Sequence, residues 1–454
     1  MSGLGFSHVP KAVKTVKTKY RSIVTKIPVP ESLPLLERVY ETESHSMHGQ
    51  LPIIWERAEG VQVFDSWGNK WLDFSSTIFV TNAGHGNKRI VEALNKVINK
   101  PLLHTYTFTS SERFEYLNYL ISKTPKQFEK AFLLSAGTEA TEATLKLMRL
   151  NGIKLGKNKG GILCFEGNWH GRTMGAQQMS SNYDQKKWIG YKDPNIYHLD
   201  FPYPWDLKGS PDKFFFKILK KIKKINYKKD LCGIMMETFQ GWGCFFYPNH
   251  FVKIVKKFCK ENDLLLCFDE MQAGFGRTGL AFGYEHYKVK PDLICVGKGM
   301  GGGVPLSGVI GKKKIMDLPG TGDMSSTHSA NPLSCVAGSL VIDEIIRLKI
   351  LKKVKKKEKV FLSALNKLQK KFKKYIRLVN GKGLIAGIIF YNTEDNIKKL
   401  KIIAEKALQK GLLIVHTGRE SIKLGPPLTI SNSGLIKGLK ILEESVAEVC
   451  SDKN

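Results

Sequence analysis

The middle of this 454-residue chain is dominated by short, almost continuous apolar runs spaced by stretches of helical pattern. The runs are AFLL before Ser135, GILCF before Glu166, LCGIMME ending at Glu237, LLLCFDE ending at Glu270, DLICVG before Lys298, and LSGVIG. A strand with one face in water alternates polar and apolar residues, whereas one that is apolar throughout is covered on both faces. Such runs joined through helices predict an α/β domain built on a mostly parallel sheet between helices, over residues 83–332. Ligands of such sheets collect beyond the carboxyl ends of the strands. The residues that close each run are therefore the first candidates for chemistry.

The flanks read differently. In residues 1–82, VQVFD and KWLDFSS surround the turn Ser66-Trp67-Gly68-Asn69 and predict a small hairpin. In residues 333–454 a Lys-rich helical stretch to about Lys374 is followed by IRLVNGKGLIAGIIFY as strands, KKLKIIAEKALQKG as a helix, and GLIKGLKILEESVAEVC as a closing helix. The chain exceeds the usual size of a single core, so the two flanks are expected to pack together as a second, smaller α+β domain.

A formal net charge of +30 raises nucleic acid or a membrane surface as a partner. Only 11 of the 71 basic residues are Arg, however, and recognition of phosphates and bases leans on arginine's planar fork. The densest runs, LKKIKKINYKK from Leu219 and LKKVKKKEK from Leu351, interleave Lys with apolar residues and read as solvated helix faces. No nucleic-acid partner is expected. No apolar stretch reaches bilayer length, so no membrane partner is expected either. Eight Cys stand singly, several inside apolar runs, which is the pattern of buried thiols in a reducing cytoplasm and of neither a metal site nor a disulfide framework. The opening segment MSGLGFSHVPKAVKTVKTKYR has no acidic residue, the first being Glu31. Being Lys-rich rather than Arg- and Ser-rich, it reads as a flexible arm rather than a transit peptide.

Asp269 arrives directly after LLLCF, and Lys298 follows one strand later in ICVGKGMGGGVP. An isolated Asp at such a point is most simply a cap, but an acid and an amine at the ends of neighbouring strands, beside a glycine-rich backbone, suit pyridoxal 5'-phosphate. The amine can form an imine with the aldehyde, and the carboxylate can keep the pyridine nitrogen protonated so that the ring accepts electrons. In SAGTEATEATLKLMR, Gly137 and Thr138 open a helix whose free N–H groups could hold a phosphate. The same pattern is also an ordinary capping box.

SAGTEATEA, NWHGRT, FDEMQAGFGRTG, GKGMGGGVPLSG and STHSANPLSCVAG occur in this order, and the chain resembles the class III aminotransferases, such as ornithine and 4-aminobutyrate aminotransferases. The match runs from the hairpin near Asp65 to the PPL near Pro427. The resemblance implies fold type I: a large domain with a mostly parallel seven-stranded sheet, plus a smaller α+β domain. It also implies roles. Lys298 would carry the cofactor and Asp269 pair with its ring nitrogen. Met271 would lie against one ring face, Trp169 stack on the other, and Gln272 contact the phenolic oxygen. Gly137 and Thr138 would bind the phosphate, with Thr327 from a partner subunit, which makes a homodimer with shared sites the expected assembly. His170 and Glu237 would support the cofactor from alongside. No metal is implied.

The implied reaction moves an amino group from an amine or amino-acid donor to a keto or aldehyde acceptor. A pyridoxal-phosphate aminomutase, racemase or decarboxylase on the same scaffold would keep the same lysine and aspartate and stays open. The sequence departs from the resemblance in SIKLGPPL and ETFQGWG, where Lys423 stands in place of the family's Arg and Trp242 in place of the Glu that covers it. An ammonium grips a carboxylate at one point where a guanidinium grips it at two. Glutamate is therefore expected to be bound differently or not preferred as donor. Trp242 is expected to wall a pocket for a bulkier or less acidic amine, an amino sugar or another ω-amine.

Overall fold

The computed structural model describes residues 5–207 and 209–451. Two compact units result, one from the described residues up to Asn87 together with those from Lys352 on, the other from Lys88–Leu351.

In the first unit the predicted hairpin is present. β4 (Gln62–Phe64) and β5 (Lys70–Asp73) pair antiparallel across the Ser66–Asn69 turn, and β3 (Arg57–Glu59) pairs with β4. The opening segment is not a free arm. β1 (Val16–Lys17) and β2 (Ser22–Ile23) form a hairpin, Ser22 pairs with Lys70 of β5, and Lys11 bridges to Ile27. Val13 and Val16, spaced among the lysines, pack against a buried cluster of Ile23, Ile27 and Val29 around Trp71 and tie the segment down. The first four residues lie outside the description.

The second unit holds the seven-stranded sheet. Its strands are β6 (Lys130–Leu134), β7 (Gly161–Phe165), β8 (Ile196–Leu199), β9 (Leu231–Glu237), β10 (Leu265–Asp269), β11 (Leu293–Val296) and β12 (Ser307–Gly311), in the spatial order β6-β12-β11-β10-β9-β7-β8. Only β12 runs against the rest, pairing antiparallel with β11 and β6. Every position of β7, β9, β10, β11 and β12 is buried, as runs without alternation require. The Gly137–Lys154 helix lies on β9, β11 and β12 and buries Ala140, Ala143, Leu147 and Met148. Each fully buried aliphatic side chain of this kind contributes roughly 1.5–3 kcal/mol.

Three features differ from the sequence reading. β8 has no counterpart among the predicted strands, because IYHL is short and only its Leu199 is buried. The run from Leu219 is not one helix face. Leu219 ends the Pro211–Leu219 helix, and Lys220–Asn226 turns before the short Tyr227–Asp230 helix, so those lysines lie mostly on a connection. The Pro332–Arg347 helix, read with the C-terminal segment, belongs to the second unit and packs on the Lys88–Asn99 and Ser111–Ser122 helices. A side chain at Gly338 would reach within 2.6 Å of the Tyr116 ring, so glycine there permits the close approach. The run from Leu351 does lie on a helix, Ile350–Lys371, which buries Val354, Phe361 and Leu365 and turns the run's lysines outward except Lys357, which is buried and donates to the Leu428 carbonyl at 3.2 Å.

The C-terminal half of the first unit pairs β13 (Ile376–Lys382) with β14 (Ile385–Phe390). It completes that sheet with β16 (Val415–His416) and β17 (Ser421–Leu424), while β15 (Leu412–Leu413) joins β5 in parallel. The Trp71 indole N–H donates to the Leu408 carbonyl at 2.9 Å, so the two flanks of the chain form this unit jointly. Among the described residues no helix is long and apolar enough to cross a membrane. The eight cysteines are free and buried.

Candidate active site

At the carboxyl edge of the seven-stranded sheet the parallel register sets the site. Asp269 at the end of β10 is opposite Glu237 at the end of β9 and opposite Cys295 of β11, three residues before Lys298. The segment after β7 supplies Asn168, Trp169 and His170, and that after β6 supplies Gly137 and Thr138. The sheet thus gathers residues from the ends of five strands at one edge.

Asp269 is buried, with each oxygen engaged. Oδ2 lies 2.9 Å from His170 Nδ1, and Oδ1 accepts the Met271 backbone N–H at 3.0 Å. Glu237, equally buried, accepts the Trp169 N–H at 2.8 Å on Oε2 and the Gly241 N–H at 2.9 Å on Oε1. One carboxylate therefore fixes the imidazole while its neighbour fixes the two loops that carry Trp169 and Trp242. A carboxylate buried without such donors would cost several kcal/mol.

Lys298 opens the 3-10 turn Lys298–Met300 after β11 and holds a left-handed φ of 48°. For a residue with a side chain this conformation costs roughly 1–2 kcal/mol, strain of the kind that gathers at functional sites. Burial pulls the Lys298 amine below the usual lysine range, opposed by the nearby negative charges of Asp269 and then Glu237. It gives up its proton more readily than a lysine in water, which suits a nucleophile or a base.

The surroundings fit a flat ring with a phosphate arm. A Cβ at Gly137 would come within 2.9 Å of Met271 Sδ, and one at Gly297 within 2.7 Å, so backbone closes on Met271 from two sides where side chains could not. Gln272 is buried beside Gly241, where a Cβ would stand 1.9 Å from Gln272 Nε2. At the N-terminus of the Gly137–Lys154 helix, Glu139 Oε2 takes the Ser135 and Ala136 N–H groups at 3.0 and 2.7 Å. The Gly137 and Thr138 N–H groups bond to nothing among the described residues. Thr138 Oγ1 lies 2.6 Å from Thr173 Oγ1, and Glu142 accepts from Thr173 and from the Gly175 N–H. Two free amides and a hydroxyl at the positive end of an 18-residue helix can hold a phosphate. The Trp169 ring carries the Arg172 guanidinium 4.7 Å from its centroid.

The structure brings Gly137, Thr138, Trp169, His170, Glu237, Asp269, Met271, Gln272 and Lys298 to this edge. Thr327 is exposed on the loop after Asp317, with its carbonyl 2.8 Å from His104 Nε2. Trp242 is half-buried next to Gly241. Lys423, on β17 of the other unit, is buried with Nζ 5.3 Å from the Phe79 ring centroid. The sequence reading missed Asn168, Gln240 and Tyr247, which are buried behind His170. Gln240 lies within the ETFQGWG segment, but nothing in spacing announces a contact 72 residues away.

The family described as aminotransferase class-III matches residues 44–446. The chain belongs to the class-III aminotransferases. Among the relatives of this aminotransferase, the acetylornithine aminotransferase of Caldanaerobacter subterraneus subsp. tengcongensis is 36% identical over 88% of this chain and 96% of its own length. The mitochondrial acetylornithine aminotransferase of Saccharomyces cerevisiae is 30% identical over 91% of this chain and 96% of its own. Of the solved structures, the acetylornithine aminotransferase from Elizabethkingia anophelis matches with 27% identity and a TM-score of 0.76, over 92% of this chain and 99% of that one. The Toxoplasma gondii ornithine aminotransferase, with pyridoxal phosphate at partial occupancy, shares the fold: TM-score 0.82, 22% identity, 93% of this chain and 96% of that one. The chain is thus a fold type I, pyridoxal-phosphate-dependent aminotransferase, moving an amino group between an amine or amino-acid donor and a keto or aldehyde acceptor.

Proposed function

We propose that Lys298 is the attachment point of pyridoxal phosphate, that Asp269 holds its ring nitrogen protonated, and that the preferred donor is an ω-amine rather than glutamate. When bound, the cofactor supplies an electron sink for the carbon that loses its proton. The observation that carries the assignment is the register at the sheet edge, which puts Asp269, Glu237 and the strand leading to Lys298 side by side.

The chain's own residues then divide the work. Gly137 and Thr138 would anchor the phosphate, and Met271, Trp169 and Gln272 would hold the ring. Asp269, kept in place by His170 and Met271, holds the proton at the ring nitrogen. Lys298, with its amine below the ordinary range, would take the proton from the substrate carbon and return it at the cofactor carbon on the far side of the amine nitrogen. Thr327 stands exposed, a placement that supports its service to a partner subunit's site in a homodimer. Eight free cysteines support residence in a reducing cytoplasm.

Donor preference rests on Lys423 and Trp242. Lys423 replaces a two-point carboxylate grip, and its ammonium is buried over Phe79. Trp242 follows Gly241, which Glu237 ties down, so its loop is held as a wall. Relatives named for acetylornithine act on a molecule that presents a terminal amine, which supports the ω-amine reading. Donors compared in single turnover, in the parent and in Lys423→Ala, test it. The expected result is faster amination of the cofactor by ω-amines than by glutamate, with the glutamate rate little changed by the substitution. Efficient use of glutamate by the parent, abolished in Lys423→Ala while other amines are spared, overturns the donor assignment.

A second reading has one observation in its favour: the alanine/serine racemase of Pyrococcus horikoshii is 28% identical over 100% of this chain and 98% of its own length. Racemisation needs no keto acceptor, so sustained turnover of a single enantiomer without one would decide for it.

A further inference from the structure

Behind Asp269 lies a buried polar chain that the reaction, as described, does not use. It begins at a group whose role is not open to choice. The Glu166 carbonyl can only accept, and Gln240 lies 2.6 Å from it, so the Gln240 atom there is its NH2 group. The same NH2 faces Asn168 at 3.0 Å, and that Asn168 atom must therefore be the oxygen Oδ1. The Tyr247 hydroxyl, 3.3 Å away, donates to the same oxygen. With Oδ1 turned to these donors, Asn168 presents its own NH2 to His170 Nε2 at 3.0 Å. Nε2 must accept, because a proton on it would point at another donor. The ring proton is left on Nδ1, 2.9 Å from Asp269 Oδ2. Backbone contacts hold the imidazole from its other side, where the His170 N–H donates to Ser180 Oγ at 2.8 Å and the His170 carbonyl accepts from Thr141 at 2.8 Å. Asn168, His170, Gln240, Tyr247 and Asp269 are each at most 3% exposed, so water cannot readily supply a substitute partner.

We infer that Asn168, oriented by Gln240 and Tyr247, is a positioning residue that fixes the tautomer of His170, so that Asp269 always receives a neutral N–H and keeps its full negative charge for the ring nitrogen. The consequence for catalysis rests on the assignment of Asp269 made above, whereas the tautomer itself does not. A neutral imidazole donating one hydrogen bond orients the carboxylate without cancelling its charge. An imidazolium in the same place would form an ion pair with Asp269 and weaken its pull on the ring proton.

The test is the tautomer of His170 in the cofactor-free chain, read by long-range proton–nitrogen correlation on histidine-labelled protein. The His170 signals are assigned by their loss in His170→Gln. The inference expects Nδ1 as the N–H nitrogen and Nε2 as the bare one in the parent. In Asn168→Asp a carboxylate oxygen replaces the donor, and Nε2 should acquire a proton. In the loaded enzyme the same substitution should lower turnover by about tenfold, the effect of one pKa unit at the ring nitrogen, and should shift the pH midpoint of the cofactor's visible band. Tyr247→Phe leaves the Gln240 donor in place and should keep the parental tautomer. A parent His170 protonated on Nε2 overturns the inference without recourse to any variant, as do unchanged nitrogen signals in Asn168→Asp. Failure of the cofactor to attach at Lys298 would leave the tautomer result intact, so the two assignments fail separately.

Discussion

Glu237 and Asp269 face each other in register at the ends of adjacent parallel strands, yet their carboxylates turn to different partners. Asp269 meets the His170 imidazole, and Glu237 meets the backbone N–H groups of Trp169 and Gly241. Two buried carboxylates this close repel unless each has donors, and the segment after β7 serves both: residue 169 through its backbone and residue 170 through its ring. Charge placement and loop placement are thereby linked in one short stretch, NWHG.

Replacing Asp269 by Ala removes the charge assigned to the ring nitrogen. The fold should survive, with a stability loss of about 1–3 kcal/mol for the stranded His170 and Met271 N–H groups. Turnover should fall at least about 100-fold, as when a preorganised charge is lost from an active site. Single-turnover kinetics beside thermal unfolding checks both, and activity within a few-fold of the parent would show the residue to be misassigned.

Glu237→Gln changes little in shape, but its amide cannot accept two N–H groups on separate atoms as the carboxylate does. One of the Trp169 and Gly241 N–H groups would face an NH2. A loss of about 1–3 kcal/mol in unfolding free energy and faster cofactor dissociation are expected. Unchanged cofactor retention would mean that Glu237 supports the fold alone.

Glu270, fully buried behind Asp269, accepts from Thr238 and from the Gly283 and Tyr284 N–H groups. Burial, opposed by these donors, pushes its carboxyl up to about 7 from 4.5. The folded chain thus holds this proton where the unfolded chain has released it. Stability from this group is full below about pH 4.5 and is lost as pH rises through about 7. Relative to Glu270→Gln, the parent should lose roughly 3 kcal/mol between pH 4.5 and 8, an order-of-magnitude figure from the two pKa values. Denaturant unfolding of both proteins at several pH values measures the difference, and a constant gap would contradict it.

Much of the site could be read from the sequence because strand ends are marked there. Glu237, Asp269 and Lys298 each follow an apolar run, and the sheet edge collects whatever closes such runs. The His170–Asp269 contact spans 99 positions and depends on which strands neighbour each other, which periodicity does not state. The Asn168–Gln240–Tyr247 chain was hidden for the same reason, since single polar residues in loops carry no pattern. The opening segment misled because its lysines outnumber Val13 and Val16, which fix it against the buried Ile23, Ile27 and Val29 that follow. The Leu219 run misled because lysine-rich turns and lysine-rich helix faces share a composition.

The central claim, that the cofactor is carried by Lys298 at the sheet edge beside Asp269, is tested most directly by borohydride reduction of the loaded enzyme followed by peptide mass mapping. The account predicts yellow protein, a single phosphopyridoxyl group on Lys298, and no covalent adduct in Lys298→Ala. An adduct on any other lysine, or an undiminished adduct in Lys298→Ala, would contradict it.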